Sequence, residues 1–420
     1  IATATGKSVG IIQEKRTSME KSKPLSATVI NNGINKNMDV PPLPPRDQFG
    51  AELEQRYPNA FNRSIASEGQ IEAQKDGAYF ALGRQASVLA DEPGFGKTVQ
   101  AQMAADMATA QGQKVLVLTP SILIAENWTN NKQGPVRFLG HTPEMIRAIQ
   151  SPDEFDAAVA DPQVRWIVIP YSSFANRNDE FTLADKIKKA ANAKVFGALL
   201  MDEFQQIKSL QSDTFRAISK AVDAAGIQHR IGMTGTPADN DPSDLYTQLM
   251  LLRHPLLWGQ DGNSKTGQGK RWSLRQTEKG FANQFLGGET VDDDNAGPMA
   301  KINGVFAWAN RLSPQEQQAI LQLFATTYIR REKADVKPDL PPKNREATPV
   351  GTTEEAAYWQ GEQNKMLEEM AKNKSSTYST FLKKMAISKA KYTIARAIDY
   401  LQKNPTEKLF IITKHPDVAT

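Results

Sequence analysis

Short apolar runs, each ending in a polar residue, glycine or proline, recur along the chain from about residue 60. They read ASVLAD (86–91), KVLVLTP (114–120), WIVIPY (166–171), FGALLMDE (196–203) and HRIGMTGTP (229–237). These runs predict strands buried on both faces, because a half-exposed strand would alternate apolar with polar residues. Ala- and Gln-rich segments such as residues 98–112 lie between the runs and suit amphipathic helices. The alternation predicts an α/β fold in which helices cover both faces of a parallel sheet.

The pattern changes towards both ends of the chain. Residues 1–50 are rich in Ser, Asn, Lys and Thr and show no clear periodicity, which predicts an arm, and PPLPPRD (41–47) predicts an extended spacer. After about residue 255 much of the sequence is loop-like, and three more helices are predicted, at 313–336, 353–374 and 379–404. The final run KLFIIT (408–413) has the texture of a buried strand and indicates the opening of a second α/β unit.

Composition excludes several classes of function. Apolar residues make up 40% of the chain and charged residues 23%, which is ordinary for a globular protein. The absence of cysteine excludes disulfides, thiolate metal sites and a Cys nucleophile, and four scattered histidines argue against a zinc site. A net charge of +4 permits a nucleic-acid partner without arguing for one. No stretch of eighteen or more apolar residues occurs, so no membrane partner is expected.

The run LADEPGFGKTVQ (89–100) lies between a predicted strand and a helix-like segment. In that context the backbone N–H groups of a Gly-rich turn can wrap a phosphate, aided by the positive end of the helix. Lys97 is expected to reach the β- and γ-phosphates of ATP, and the Thr98 hydroxyl to bind Mg²⁺. The alternative, a glycine-containing turn with a surface lysine, is less favoured in this context. The rest of the predicted loop is Pro93, Gly94, Phe95 and Gly96.

Two further polar clusters follow predicted strands. LLMDEFQQIKS (199–209) delivers Asp202 and Glu203 into a polar loop, where one carboxylate suits Mg²⁺ and the next can orient and deprotonate a water molecule. An acidic pair alone is a weak signal, but the phosphate-binding loop upstream strengthens it. The turn Thr234-Gly235-Thr236 suits sensing of the γ-phosphate, although alone it would be typical of an ordinary turn.

Taken in order, these segments resemble the motifs of SWI2/SNF2-type ATPases of helicase superfamily 2, over about residues 65–420. The loop that starts at Asp91 resembles motif I of that family, whose usual sequence also begins with an acidic pair. Most phosphate-binding loops have glycine or alanine at the position of Asp91, so the acid there is a feature that this chain shares with the family. Three further segments resemble early motifs of the family: residues 71–82 the Q motif, residues 115–128 motif Ia, and residues 168–174 the segment that follows motif Ia. Later in the chain, residues 199–209 resemble the DEAH box, residues 233–241 motif III, residues 328–343 the inter-lobe linker and residues 408–418 motif IV. HPLLWGQDGN and FANQFLGG are faintly similar to the annealing-helicase branch.

The resemblance implies a RecA-like fold with ATP and Mg²⁺ as cofactors. It implies that Thr98 and Asp202 are the metal ligands, that Lys97, Asp202 and Glu203 are catalytic, and that Gln74 reads the adenine base. Because Asp202-Glu203-Phe204-Gln205 lacks the histidine of DEAH, the coupling role of that histidine is expected to pass to Gln205. The expected domains are an N-terminal extension with a Pro-rich spacer (1–60), a RecA-like ATP-binding lobe (61–255), a helical and loop insertion with the linker (256–343), and a helical segment with the start of a truncated second lobe (344–420).

In such ATPases DNA strands are contacted mainly through their phosphates. The matching positions here are Thr119, Pro120 and Ser121, with Ser172 and Ser173 as further candidates. Trp128 could stack on a base, but an aromatic residue at helical spacing is more often part of a core. Arg330 and Arg331 lie in the linker and are not the arginine fingers, which belong to motifs V and VI, and neither motif is present before Thr420. We therefore expect the full protein to continue beyond Thr420 with a complete second lobe, and the 420-residue chain by itself to be weakly active. The expected partners besides double-stranded DNA are further domains of the same polypeptide or a larger complex.

The function that this reading favours is an ATP-dependent translocase on double-stranded DNA that need not separate the strands. Two alternatives stay open: a strand-separating helicase or restriction-type motor of superfamily 2, and a non-catalytic module derived from such a motor. The missing arginines favour the module, whereas intact Lys97, Thr98, Asp202 and Glu203 argue against it. The lack of obvious eukaryotic targeting runs favours a bacterial or phage origin, in the cytoplasm or with the nucleoid.

Overall fold

The computed structural model describes ten segments of the chain: residues 27–62, 66–132, 134–174, 180–207, 212–224, 226–237, 243–256, 313–336, 352–371 and 376–409. The chain divides into two compact units, Ile1–Leu340 and Pro341–Thr420. The first unit contains all the sites predicted from the sequence. The second unit is described separately below.

One parallel sheet organises the first unit. Within the described segments it has seven strands, β1 Ala86–Leu89, β2 Lys114–Thr119, β3 Ile146–Ala148, β4 Trp166–Pro170, β5 Phe196–Met201, β6 His229–Met233 and β7 Tyr328–Ile329. Their order across the sheet is β3-β4-β2-β5-β6-β1-β7, and all neighbouring pairs are parallel. The predicted α/β fold is confirmed, and the five strands predicted between residues 86 and 237 belong to the sheet.

Helices connect the strands and cover the sheet. In chain order, the helices among the described residues of the first unit are α1 Ala27–Asn37, α2 Arg46–Arg56, α3 Glu68–Leu82, α4 Lys97–Ala108, α5 Ser121–Leu123, α6 Gly134–Leu139, α7 Pro152–Ala160, α8 Glu180–Asn192, α9 Asp213–Val222, α10 Ser243–Leu251, α11 Pro314–Thr327 and α12 Lys333–Val336. A π-helical turn, Ile124–Trp128, continues α5.

The side chains of β2 belong to two separate hydrophobic cores, one on each face of the sheet. In β2, Leu116 and Leu118 belong to one core, while Val115 and Val117 belong to the other. Alternation in a strand sends successive side chains to opposite faces. Since both faces are buried, all four positions must be apolar, which explains the unbroken apolar runs in the sequence.

Two strands lie outside the sequence prediction. Strand β3 has three residues, and only Ile146 among them is buried, so it has no apolar run. Residues 313–336 were expected to form one helix, but the helix ends at Thr327 and β7 follows. The short segment pairs with β1 in the register Val88↔Tyr328 and Leu89↔Ile329. The open edge of β1 supplies backbone partners that a local sequence pattern cannot reveal.

The prediction of an N-terminal arm is wrong for residues 27–62, which form part of the first unit. Helices α1 and α2 flank the proline run, and Phe49 and Leu53 of α2 are fully buried. The Asn37 side chain bonds both backbone groups of Ala86, accepting from its N–H at 2.8 Å and donating to its carbonyl at 2.9 Å. These bonds fix the start of β1. Residues 1–26 lie outside the described segments.

The second unit contributes two helices to the described segments, α13 Thr353–Ala371 and α14 Ser376–Lys403. They contact each other through a hydrogen bond of 3.3 Å from Trp359 Nε1 to Ser388 Oγ. Most of the predicted strand 408–413 lies outside the described residues. No helix within the described segments is long and apolar enough to cross a membrane.

Candidate nucleotide-binding and hydrolysis site

The sheet brings three predicted segments to one edge. Strands β5, β6 and β1 are neighbours, and their ends are level, with Leu89 opposite Met233 and Met201 opposite Gly232. Because the strands are parallel, the loops that follow them leave the sheet side by side. The Gly-rich loop, the acidic pair and the Thr-Gly-Thr turn therefore meet where ligands bind in open α/β sheets.

The Gly-rich loop has the backbone of a phosphate cradle. Gly94 and Gly96 have φ angles of +93° and +77°, in a region that costs other residues about 1–2 kcal/mol. Gly96 is the N-cap of α4, so the helix starts at Lys97 with its free N–H groups at the loop. A Cβ atom at Gly96 would lie 2.5 Å from Gln74 Nε2. The backbone conformation therefore requires glycine here, and a Cβ atom would also displace the end of the Gln74 side chain.

Lys97 lies at the centre of the three segments. Its Nζ donates to the carbonyl of Asp91 at 2.7 Å and more weakly to that of Glu92 at 3.4 Å. Burial lowers the pKa of Lys97, and the charges of Glu203, Asp91 and Asp202 oppose that shift. A Cβ atom at Gly235 would lie 3.9 Å from the same ammonium. The lysine is thus held between the loop and the Thr-Gly-Thr turn, close to the acidic pair.

Asp202 is buried at the end of β5, with 4% of its surface exposed. Its Oδ2 accepts hydrogen bonds from Trp128 Nε1 at 3.2 Å and Thr119 Oγ1 at 3.5 Å. Burial raises the pKa of Asp202 to about 6 against the opposing hydrogen bond from Trp128, and the charge of Glu203 adds to the rise. A nearby cation would stabilise the charged form of a carboxylate in these surroundings. Such a carboxylate is therefore suited to be a metal ligand.

Glu203 has a left-handed backbone with φ +46° and ψ +44°, an uncommon state for a residue other than glycine. Such strain concentrates at functional sites, where the surrounding structure holds it. Gln205 Nε2 donates to Glu203 Oε2 at 2.6 Å, while its own Oε1 is buried without a hydrogen-bond partner. The predicted coupling glutamine therefore holds the carboxylate that was expected to activate water.

The other predicted nucleotide residues surround this centre. Thr98 is half-buried on the first turn of α4, Thr234 is buried, and its Oγ1 accepts from the backbone N–H of Thr236 at 3.0 Å. Gln74 lies on α3 against Gly96, is 4% exposed, and its Oε1 has no hydrogen-bond partner. An unpaired buried amide oxygen is costly, so an outside donor such as an adenine amino group would stabilise it.

Asp91 has a role that the sequence pattern does not reveal. Its carboxylate is fully buried and accepts three hydrogen bonds from Arg331: from the backbone N–H and Nε to Oδ1, each at 3.0 Å, and from Nη2 to Oδ2 at 2.5 Å. Gln100 Nε2 also donates to Oδ2, at 3.2 Å. Glu92 accepts from the backbone N–H of Lys333 at 2.7 Å. The acidic pair of the loop thus binds the linker segment after β7, which lies about 240 residues later.

The predicted DNA contacts separate into two groups. Thr119 and Pro120 are buried, and the Thr119 hydroxyl faces Asp202 rather than solvent. Ser121 and Ser172 are exposed, and their hydroxyl oxygens lie 2.8 Å apart. They meet because β2 and β4 are neighbours that end level, with Thr119 opposite Pro170. Ser173 is half-buried beside them.

Two aromatic residues join this region to the acidic pair. Trp128 is fully buried, so it cannot stack on a DNA base and belongs to the core, as its spacing favours. Tyr171 donates from its hydroxyl to the backbone carbonyl of Asp202 at 2.7 Å. The sequence near Tyr171, Arg331 and Gln100 does not indicate which residues they contact. It shows only that each of the three lies in or beside a predicted motif.

The residues present fit a magnesium triphosphate. The positive-φ glycines leave room for phosphate oxygens, Gln74 offers a free buried acceptor, and Lys97 faces carboxylates that a divalent cation would neutralise. Within the described segments no cluster of three or more His, Asp or Glu side chains forms a metal site by itself. Magnesium bound by one or two protein oxygens plus phosphates needs no such cluster.

Comparison with known proteins identifies the family of the chain. The SNF2-related domain matches residues 73–395 of the chain. The bovine DNA annealing helicase and endonuclease ZRANB3 is 28% identical over 307 residues, which make up 73% of this chain and 24% of that protein. The DNA repair and recombination protein RAD54 of Saccharomyces cerevisiae is 26% identical over 245 residues, or 55% of this chain and 24% of that protein. These relatives are eukaryotic, so they lend no support to a bacterial or phage origin.

Among solved structures, the SWI2/SNF2 ATPase core of Sulfolobus solfataricus in complex with dsDNA is similar, with a TM-score of 0.41 and 18% identity. The match covers 77% of this chain and 58% of that chain. The chain spans about a quarter of the length of the two relatives above, 24% in each case.

Proposed function

The chain belongs to the SNF2-related family, and from that membership we propose that it is an ATP-dependent motor that moves along double-stranded DNA. The observation that carries the proposal is the meeting of Lys97, Asp202 and Glu203 at the ends of β1 and β5. Relatives named for DNA annealing and DNA repair support DNA as the partner. The same family supports ATP hydrolysis as the reaction.

Each residue of the site has a distinct role in this proposal. The loop amides from Gly94 to Thr98 and the Lys97 ammonium bind the phosphates, because a Gly-rich turn before a helix start lets backbone N–H groups approach an anion closely. Thr98 and Asp202 would hold magnesium, which would supply neutralisation of the charge on the transferred phosphoryl group. Gln74 binds the adenine base through its free Oε1.

Glu203 acts on the attacking water. Its carboxylate accepts the proton of that water, while Gln205 Nε2 holds Oε2 in position. The turn Thr234–Thr236 lies beside Lys97 and responds to whether a γ-phosphate is present.

The test is ATP hydrolysis by the full-length protein with and without nucleic acid. We expect double-stranded DNA to stimulate the rate, and Asp202→Asn with Glu203→Gln to remove turnover while nucleotide still binds. An equal rate with and without any nucleic acid would contradict a DNA motor. Triplex displacement without strand displacement would identify a translocase, whereas strand displacement would identify a strand-separating helicase.

A further inference from the structure

Ser121 and Ser172 are both exposed and lie on segments that reach Asp202. Ser121 lies just after the end of β2. Ser172 lies just after the end of β4 and directly follows Tyr171 in the chain. Their hydroxyls share one hydrogen bond of 2.8 Å, in which either oxygen can be the donor. One of the two hydroxyl hydrogens is therefore not used in this contact, and both hydroxyls could donate to a phosphate oxygen instead.

Each segment also sends one buried aromatic side chain to Asp202. From the segment of Ser121, Trp128 Nε1 donates to Oδ2 of the carboxylate at 3.2 Å. From the segment of Ser172, the Tyr171 hydroxyl donates to the backbone carbonyl of the same residue at 2.7 Å. Trp128 is 0% exposed and Tyr171 is 7% exposed. Asp202 is thus held at its side chain by one segment and at its backbone by the other.

The backbone between Ser121 and Trp128 is irregular. The short helix α5 changes to a π-helical turn at Ile124–Trp128, and the Thr129 N–H donates to the Ile124 carbonyl at 2.9 Å. Single π-helical turns are rare and occur frequently at functional sites. Here the turn directs the Trp128 ring inward while Ser121 stays at the surface. Ser121 and the buried Trp128 ring therefore belong to one short, irregular segment.

We infer that Trp128 and Tyr171 are positioning residues that couple a DNA phosphate bound at Ser121 and Ser172 to magnesium-nucleotide binding at Asp202. The inference rests on the proposed function. A phosphate that accepts from both hydroxyls replaces the contact between the serines and changes the spacing of the two segments. Because the interior is close-packed, the two aromatic donors carry that change to Asp202. Coupling between sites is reciprocal, so the nucleotide tightens DNA binding by the same factor.

The experiment measures binding, which does not depend on turnover. The affinity of the full-length protein for a magnesium complex of a non-hydrolysable ATP analogue is measured with and without a short DNA duplex. The coupling factor is the ratio of the two dissociation constants, and factors of about 5 to 150 are typical of allosteric proteins. For the wild type we expect a factor in that range, and the reverse titration, of DNA with and without analogue, should return the same value.

Three variants separate positioning from packing. Trp128→Phe removes the indole N–H but keeps an aromatic ring, and Tyr171→Phe removes only the hydroxyl. The matched control is Trp166→Phe, because Trp166 is equally buried, its ring lies 6.3 Å from that of Trp128, and its Nε1 has no hydrogen-bond partner. We expect both of the first two variants to lower the coupling factor towards 1, and the control to retain the wild-type factor.

Several outcomes would overturn the inference. If Trp128→Phe and Tyr171→Phe keep the wild-type coupling factor, or if Trp166→Phe loses it equally, the aromatic donors do not position Asp202. Should Trp128→Phe fail to fold, Tyr171→Phe decides the question, because the loss of one oxygen leaves the packing in place. A wild type that binds DNA with a coupling factor of 1 overturns the inference alone, whereas a wild type that binds no DNA overturns the proposed function as well.

Discussion

Substitution of Asp91 by Asn tests whether the acid at the start of the Gly-rich loop stabilises the first unit through the linker. Asn has the shape of Asp but no charge. Its carbonyl oxygen can replace Oδ1 as the acceptor for Arg331 N–H and Nε, at 3.0 Å each. Its NH₂ group then replaces Oδ2, where it meets two donors, Arg331 Nη2 and Gln100 Nε2. The variant therefore loses the charge pair and gains a contact between donors.

The size of the effect follows from burial. Two unit charges about 4 Å apart interact with about 4 kcal/mol at an effective dielectric constant of about 20. The Asp91 side chain is 0% exposed, whereas 17% of the Arg331 side chain is exposed, so water can partly solvate the guanidinium after the change. Removing one partner of a buried pair costs about 3–5 kcal/mol. We expect Asp91→Asn to lower the free energy of unfolding by about 3 kcal/mol, near the lower end of that range.

The assay is urea denaturation followed by tryptophan fluorescence, with a surface pair as the control. Asp156 accepts from Lys186 at 2.6 Å, nearly the same distance, but its side chain is 61% exposed. Exposed pairs contribute about 0–1 kcal/mol, so Asp156→Asn should change little. If the two variants lose the same free energy of unfolding within about 0.5 kcal/mol, burial of the Asp91 pair does not stabilise the fold and the reasoning is refuted.

Four further predictions concern the site and its surroundings. Lys97→Ala should weaken binding of a fluorescent ATP analogue by about 100-fold, through loss of charged hydrogen bonds, whereas Asp202→Asn should abolish hydrolysis and retain binding. Gly96→Ala should also weaken nucleotide binding, because its Cβ would lie 2.5 Å from Gln74 Nε2. The control is Gly140→Ala, since Gly140 also has a positive φ angle but has nothing within 4 Å of a Cβ. This control should lower only the melting temperature. Burial lowers the pKa of His254 from 6.5 to about 3. The unfolded chain therefore binds a proton at this histidine more tightly than the folded chain does. As a result, the free energy of unfolding falls as the pH is lowered from about 6.5 towards 3, and at pH 5 the loss is about 2 kcal/mol. His254→Gln should flatten that loss in urea titrations at pH 7.5 and 5, and an unchanged slope would contradict the assignment.

Much of the site could be predicted from the sequence because its parts are local. A phosphate cradle needs glycines, a lysine and a hydroxyl within a few residues, and the run 93–98 supplies them in the space between a strand and a helix. An acid pair after an apolar strand is similarly visible in the sequence at Asp202. The helical N-terminal residues were missed, because α1 and α2 depend on packing against the sheet more than on their own periodicity.

The contacts of Asp91 and Trp128 could not be predicted in the same way. Asp91 stands out in the sequence as a family mark, yet nothing near it indicates that Arg331 is its partner. Trp128 offers two readings, a base-stacking surface residue or a core residue, and only its burial against Asp202 decides between them. Residues 313–336 contain a helical pattern up to Thr327, but the edge of β1 changes the last part into a strand.

The amino-acid sequence by itself determined two features: the alternation of buried strands with helices, and the chemistry of the Gly-rich loop. Both depend on residues that are close in the chain, because the period of apolar residues and the conformational preferences of the backbone are local properties. The tertiary structure alone decided which distant groups meet: the linker arginine at the loop acid, and the two aromatic donors at Asp202. Those contacts arise from strand order and level strand ends, which are set by the packing of the whole sheet. For that reason the nucleotide site was visible in the sequence, whereas its connections to the linker and to the exposed serines were visible only in the fold.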